Sequence, residues 1–127
     1  MRDFKSYTKI KAETMDVYAA ITNPFTIELW SGHPAKLELV EGSEFEMYDG
    51  NICGKIIRFI EDKELVQQWY FGDQKEESLV VYKIFGEGDY STLEVRHSNI
   101  PDEDYDDIVY GWKEFFISPI KRFLEIE

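Results

Sequence analysis

Asp102-Glu-Asp-Tyr-Asp-Asp-Ile-Val-Tyr-Gly-Trp112-Lys-Glu-Phe-Phe-Ile-Ser-Pro119-Ile-Lys-Arg-Phe-Leu-Glu-Ile126 is the stretch that decides the architecture. At about 100° per residue, Tyr105, Ile108, Val109, Phe115, Phe116, Pro119, Ile120, Phe123 and Ile126 fall on the side of Trp112. Glu103, Asp107, Glu114, Lys121 and Glu125 fall opposite. The spacing predicts one long amphipathic helix with a broad aromatic stripe. Carboxylates crowd its first turn and Lys113, Lys121 and Arg122 follow, which suits the helix dipole. Pro119 lies inside the stripe and has no N–H for the Phe115 carbonyl. A kink or break between Phe115 and Pro119 is expected, with that carbonyl left to water, a side chain or a ligand.

So wide a stripe needs a large apolar surface, and the preceding sequence supplies strands. Phe4–Lys11 reads as a strand. Two short helices follow, Met15–Ile21 and Phe25–Trp30, separated by Asn23-Pro24. Leu37 and Leu39 alternate with polar residues, as do Phe45 and Met47, and suggest two strands. Asp49-Gly50 signals a tight hairpin, because both positions suit positive φ. Strands are expected at Asn51–Ile60, Glu64–Phe71, Leu79–Phe85 and Tyr90–Ser98. Tight turns between successive strands make an antiparallel meander. The fold class is therefore α+β: a curved antiparallel sheet of about six or seven strands wrapped around the terminal helix, as one domain over residues 1–127.

Composition narrows the function classes. The chain has 14 basic and 26 acidic residues, a net charge of −12. That argues against nucleic acid, which is held by clustered Lys and Arg, and against an anionic membrane surface. No apolar run is long enough to span a bilayer, and the opening residues do not resemble a signal peptide. A single cysteine, Cys53, suits a reducing compartment, so a cytoplasmic protein is expected. No cofactor, phosphate-loop or metal-ligand spacing is present. The acidic run Asp102–Asp107 lacks the glycine and terminal glutamate of a calcium loop and reads as a solvated helix start.

An ordered set of segments resembles a known family. The segments are Ile10-Lys-Ala-Glu-Thr-Met-Asp-Val-Tyr-Ala-Ala-Ile-Thr-Asn-Pro24, Leu29-Trp30-Ser-Gly32, and Gly42-Ser-Glu-Phe-Glu-Met-Tyr-Asp-Gly50. Gly54-Lys-Ile-Ile57, Leu65-Val-Gln-Gln-Trp69, Leu93-Glu-Val-Arg-His97, Ile100-Pro-Asp-Glu103 and Gly111-Trp112 complete it. The chain resembles the START-like (SRPBCC) superfamily and, within it, the family of the activator of the heat-shock-protein-90 ATPase. The resemblance implies a helix-grip fold with a cavity between sheet and terminal helix that often holds an apolar ligand. Two-domain members add a separate N-terminal domain for which this chain has no room. A chaperone partner is therefore the alternative to a small apolar molecule, and a cyclase- or hydrolase-like enzyme ranks third.

Candidate ligand-binding residues follow from strand faces and from the stripe. Val95 and His97 share an inward face, where a buried imidazole would be a base or a hydrogen-bond partner. Gln67, Trp69 and Phe71 share another. Trp30, with Phe25 and His33, is expected where the short helices close the mouth. Tyr48, Tyr82 and Trp112 offer hydroxyl or indole donors, and Phe115 and Phe116 complete the wall. An apolar pocket with a few placed polar groups is the usual design of such a site. No carboxylate stands near His97 in sequence to orient it as a base, so no catalytic residue is assigned.

Overall fold

A computed structural model describes residues 1–126. In order, the chain forms β1 (Arg2–Ile10), α1 (Thr14–Thr22), α2 (Pro24–Ser31), β2 (Glu44–Met47), β3 (Ile52–Ile60), β4 (Glu64–Trp69), β5 (Ser78–Glu87) and β6 (Tyr90–Ile100). A terminal helical run follows: a 3₁₀ turn (Asp102–Asp104), α3 (Tyr105–Gly111), a π-helical segment (Trp112–Ile117) and α4 (Ser118–Leu124). The six strands form one antiparallel sheet in the order β1-β6-β5-β4-β3-β2. It is the α+β helix-grip architecture, with the meander β2–β6 closed by β1 on the far side of β6.

The short helices are set by local chemistry. Asn23 accepts from the backbone N–H groups of Phe25 and Thr26, capping α2, and Pro24 takes the first helical position. Gly32 ends α2 at φ 77°, the left-handed conformation that suits glycine. Trp30 is locked by its indole N–H, which donates to the Ala20 carbonyl at 2.7 Å and ties α2 to α1.

The inner face of the sheet is built in cross-strand rows. Phe4, His97, Val80, Gln67 and Ile56 are successive partners, and Ser6, Val95, Tyr82 and Leu65 form the next row. The terminal helix lies on this face with Trp112, Phe116 and Ile120 buried. Register shifts at Arg2/Phe4 and Ile56/Arg58 mark bulges, which bend strands and help a sheet curve around a helix. The open edge of β1 is blunted. Lys121 donates to the Lys9 carbonyl at 2.7 Å, and the Tyr105 hydroxyl reaches the Asp3 carbonyl.

Two expectations need correcting. Leu37 and Leu39 do not form a strand; only the bridge between Lys36 and Glu46 is present. Their alternation reflects burial of Leu37 against the core without a ladder of bonds. The Asp49-Gly50 turn is wider than a two-residue hairpin. Strand pairing stops at Met47 and resumes at Ile52, and Tyr48, Asp49 and Gly50 have φ of 54°, 56° and 89°. The long terminal helix is present, and within the Phe115–Pro119 stretch where a break is expected its bonding widens to i→i−5 at Ser118, which bonds the Lys113 carbonyl.

Gly54 shows how closely β3 and β4 approach. A Cβ there would lie 1.8 Å from the Gln68 carbonyl oxygen and 3.0 Å from the Phe45 ring. Only glycine fits without parting the strands. Gly54→Ala is expected to destabilise by about 3 kcal/mol, the upper range for overpacking, read from the urea midpoint. An unchanged midpoint would show that the two strands move apart freely.

Candidate functional site

The space between sheet and terminal helix is filled with packed rings. Trp112 stands 5.1 Å from Trp69, 4.7 Å from Phe116 and 5.8 Å from Tyr82, centroid to centroid. The cavity lies to one side, as an open groove of about 640 Å³ along the terminal helix. α2 and its following loop contribute Trp30, Ser31 and His33. The β2–β3 connection contributes Tyr48, Asn51 and Ile52, and β4 contributes Trp69. The terminal helix supplies the remaining wall, from Asp107 and Ile108 through Gly111, Trp112, Glu114, Phe115 and Phe116 to Pro119 and Arg122.

Tyr48 is the hub. Its ring lies 5.3 Å from His33, 6.0 Å from Phe116 and 6.4 Å from both Trp30 and Phe115. Its hydroxyl donates to the Phe115 carbonyl, the carbonyl that Pro119 cannot serve. Two unusual pieces of backbone meet in this bond. A left-handed φ is a true outlier for a bulky tyrosine, and π turns recur at functional sites. Burial also pushes the Tyr48 phenol up from its ordinary pKa, so it stays a donor at neutral pH.

The expected ligand-binding residues divide into two groups. Trp30, Tyr48, Trp69, Trp112, Phe115 and Phe116 line the groove. Phe115 does so while 52% exposed, a rim position rather than a place inside the stripe. Tyr82, Val95, Gln67 and His97 are buried beneath and do not line it. Phe71 lines a different cavity, beside Asp73, Glu76 and the start of the terminal run. Phe25 is 79% exposed and is absent from the groove wall.

His97 is bonded on both ring nitrogens. The Trp112 indole N–H donates to Nδ1 at 3.0 Å, so Nδ1 carries the lone pair. The neutral ring then holds its proton on Nε2 and donates it to Ser78 Oγ at 2.8 Å. Ser78 donates in turn to the Ser98 carbonyl at 2.9 Å. Gln67 is likewise engaged, accepting from the Trp69 indole N–H at 3.0 Å. Both ring nitrogens of His97 and the amide oxygen of Gln67 are thus committed to partners inside the fold.

Asn51, Ile52, Asp107, Ile108, Glu114 and Arg122 were missed as groove residues. Ile108 was legible as stripe. Asp107 and Glu114 are solvent-exposed, as the helical wheel expects, and line the groove from its open side. Among the described residues, no three His, Cys, Asp or Glu side chains converge to hold a metal ion. No helix among them is long and apolar enough to cross a membrane.

Comparison with known proteins places this geometry. The model of the family "Activator of Hsp90 ATPase homolog 1-like protein" matches residues 11–125, and the chain belongs to that family. The human activator of 90 kDa heat shock protein ATPase homolog 1 is 23% identical over 109 residues, which are 84% of this chain and 32% of the human protein. The mouse homolog 2 is 23% identical over 112 residues, 87% of this chain and 34% of that protein. The chain thus spans about a third of the length of these relatives. The crystal structure of PFC0360w, an HSP90 activator from Plasmodium falciparum, superposes with a TM-score of 0.89 at 22% identity, covering 98% of this chain and 96% of that one. The fold is shared throughout.

Burial lowers the His97 pKa from 6.5 to about 4, slightly opposed by Asp3. The unfolded chain therefore binds a proton between pH 6.5 and about 4 that the folded chain refuses. Stability from neutral His97 is complete above pH 6.5 and falls as pH drops through that window. Imidazole NMR signals should show His97 still neutral at pH 5, with unfolding free energy reduced at pH 4. A His97 that titrates near 6.5 in the folded protein would contradict the relay.

Proposed function

We propose that this chain binds a small, largely apolar molecule in the groove between the terminal helix, α2 and the β2–β3 connection. The observation that carries this reading is Gly111. It sits inside the terminal helix with ordinary helical angles, φ −60° and ψ −42°, where glycine is about 1 kcal/mol worse than alanine. A Cβ added there would meet nothing within 4 Å. Packing and backbone both tolerate a side chain, and its omission leaves a notch in the groove wall. The volume of about 640 Å³ suits a small-molecule site, and the aromatic lining is of the usual kind. No group in the wall pairs a nucleophile with a base, so the reading is of a binder. A cytoplasmic setting accords with the lone, half-buried Cys53.

A second reading has its own support. The family and the relatives are named for activation of the heat-shock-protein-90 ATPase. Phe25 and Leu29, one turn apart on α2, are 79% and 71% exposed and would serve as protein contacts. The measurement that separates the readings is the chaperone's ATPase rate with this chain added. Stimulation that survives blocking of the groove would favour the second.

The blocking variant is Gly111→Leu. Leucine fills the notch and is the better helix former, so thermal stability is expected to hold or rise. Nile red, a neutral apolar dye, should bind the parent with a fluorescence gain and shift the Trp30 indole resonance. The variant should lose at least about tenfold in affinity, roughly 1.4 kcal/mol. Equal dye binding by both proteins would place the dye elsewhere and remove the support for the groove.

A further inference from the structure

The electrostatics of the wall go further than its apolarity. We propose that the molecule the groove takes is an amphipathic cation, an apolar body carrying an ammonium group. This rests on the small-molecule reading above and adds the chemistry of the head group.

Three kinds of group around the Gly111 notch favour positive charge. Asp107 and Glu114 stand on either side of it along the helix, both exposed, both lining the groove, and neither ion-paired among the described residues. The Phe115 carbonyl, which accepts from the Tyr48 hydroxyl, is a further negative dipole next to Glu114. The rings of Trp30, Tyr48, Phe115 and Phe116 supply quadrupoles whose faces attract cations.

The alternative head group has less to hold it. A carboxylate would find one guanidinium, Arg122, some 20 Å along the helix from Asp107 at about 1.5 Å per residue. It would also meet the field of a chain with net charge −12. In the cation's orientation the ammonium sits near Gly111 between the two carboxylates. The apolar body then runs toward Pro119 and leaves Arg122 in water.

The experiment uses three probes with the same twelve-carbon tail: dodecyltrimethylammonium, dodecanoate and the neutral dodecyl maltoside. Each is titrated below its micelle concentration and followed by amide and indole NMR shifts. Dodecyltrimethylammonium is expected to bind about tenfold tighter than dodecanoate and to shift Gly111, Phe115 and Trp30. Asp107→Asn with Glu114→Gln should weaken the cation about fivefold and leave the maltoside unchanged. The matched pair Glu87→Gln with Asp89→Asn, on the β5–β6 turn, removes the same charge elsewhere and should change neither. Equal affinity for cation and anion overturns the proposal and leaves the small-molecule reading standing. So does a control pair as damaging as the groove pair. If none of the three probes shifts groove residues, the small-molecule reading falls with it.

Discussion

The bond from the Trp112 indole to His97 is the constraint on which the interior depends. It joins the terminal helix to the middle of β6 at full burial, where an unmet donor would cost about 1–3 kcal/mol. It also fixes the imidazole tautomer, which fixes the donor to Ser78 and so the chain of bonds ending on Ser98. Strands β5 and β6 are thereby stitched through side chains as well as through their ladder. Around this polar thread the rings of Trp69, Tyr82 and Phe116 pack within 5.8 Å of Trp112. The histidine has a structural duty, and its burial is the reason it resists protonation.

That fixed rotation decides what the rest of the helix presents. Trp112 and Phe116 both face the core, so the extra width of the π turn is displaced to the flank. The flank is where Phe115 and Glu114 meet the groove. Pro119 removes one donor from the same turn, and Tyr48 supplies a hydroxyl in its place from the other wall. Tyr48 reaches that position only because the β2–β3 connection turns through three successive positive φ angles. Bond and turn support each other: the bond offsets part of the strain, and the strain aims the ring.

Much of this was legible in the sequence. The apolar stripe on Trp112, the short capped helices and the alternating strands gave the helix-grip architecture. Pro119 announced the break and the spare Phe115 carbonyl. What failed did so for physical reasons. Leu37 and Leu39 alternate in burial but lack a partner strand, and period alone cannot tell a ladder from a buried loop. The wheel assumes a constant turn per residue, so it sends Phe115 to the core, whereas beside the π turn that ring stands half exposed at the groove rim. Asp107 and Glu114 are exposed as the wheel has them and line the groove because it is open on that flank. Inward strand residues such as His97, Gln67 and Val95 were read as cavity wall, because sequence shows which face is inward and not whether that face is filled. Residue chemistry came through; the location of empty space is a property of packing.

Separating a filled core from a flanking groove has a consequence for recognition. Trp69 and Trp112 belong to both: each lines the groove and each is bonded through its indole into the interior. A ligand would therefore lie against a floor whose side chains are already held in one rotamer. Little side-chain freedom remains to be lost there on binding, a saving of roughly 0.5–1.5 kcal/mol for each side chain held in advance. The opposite wall is different. Phe115 is half exposed and Tyr48 is held by one hydrogen bond and by tilted and edge-on ring contacts, so adjustment to a ligand's shape would fall to that side. A floor of fixed rings facing one half-exposed wall is a difference in packing on the two sides of the groove.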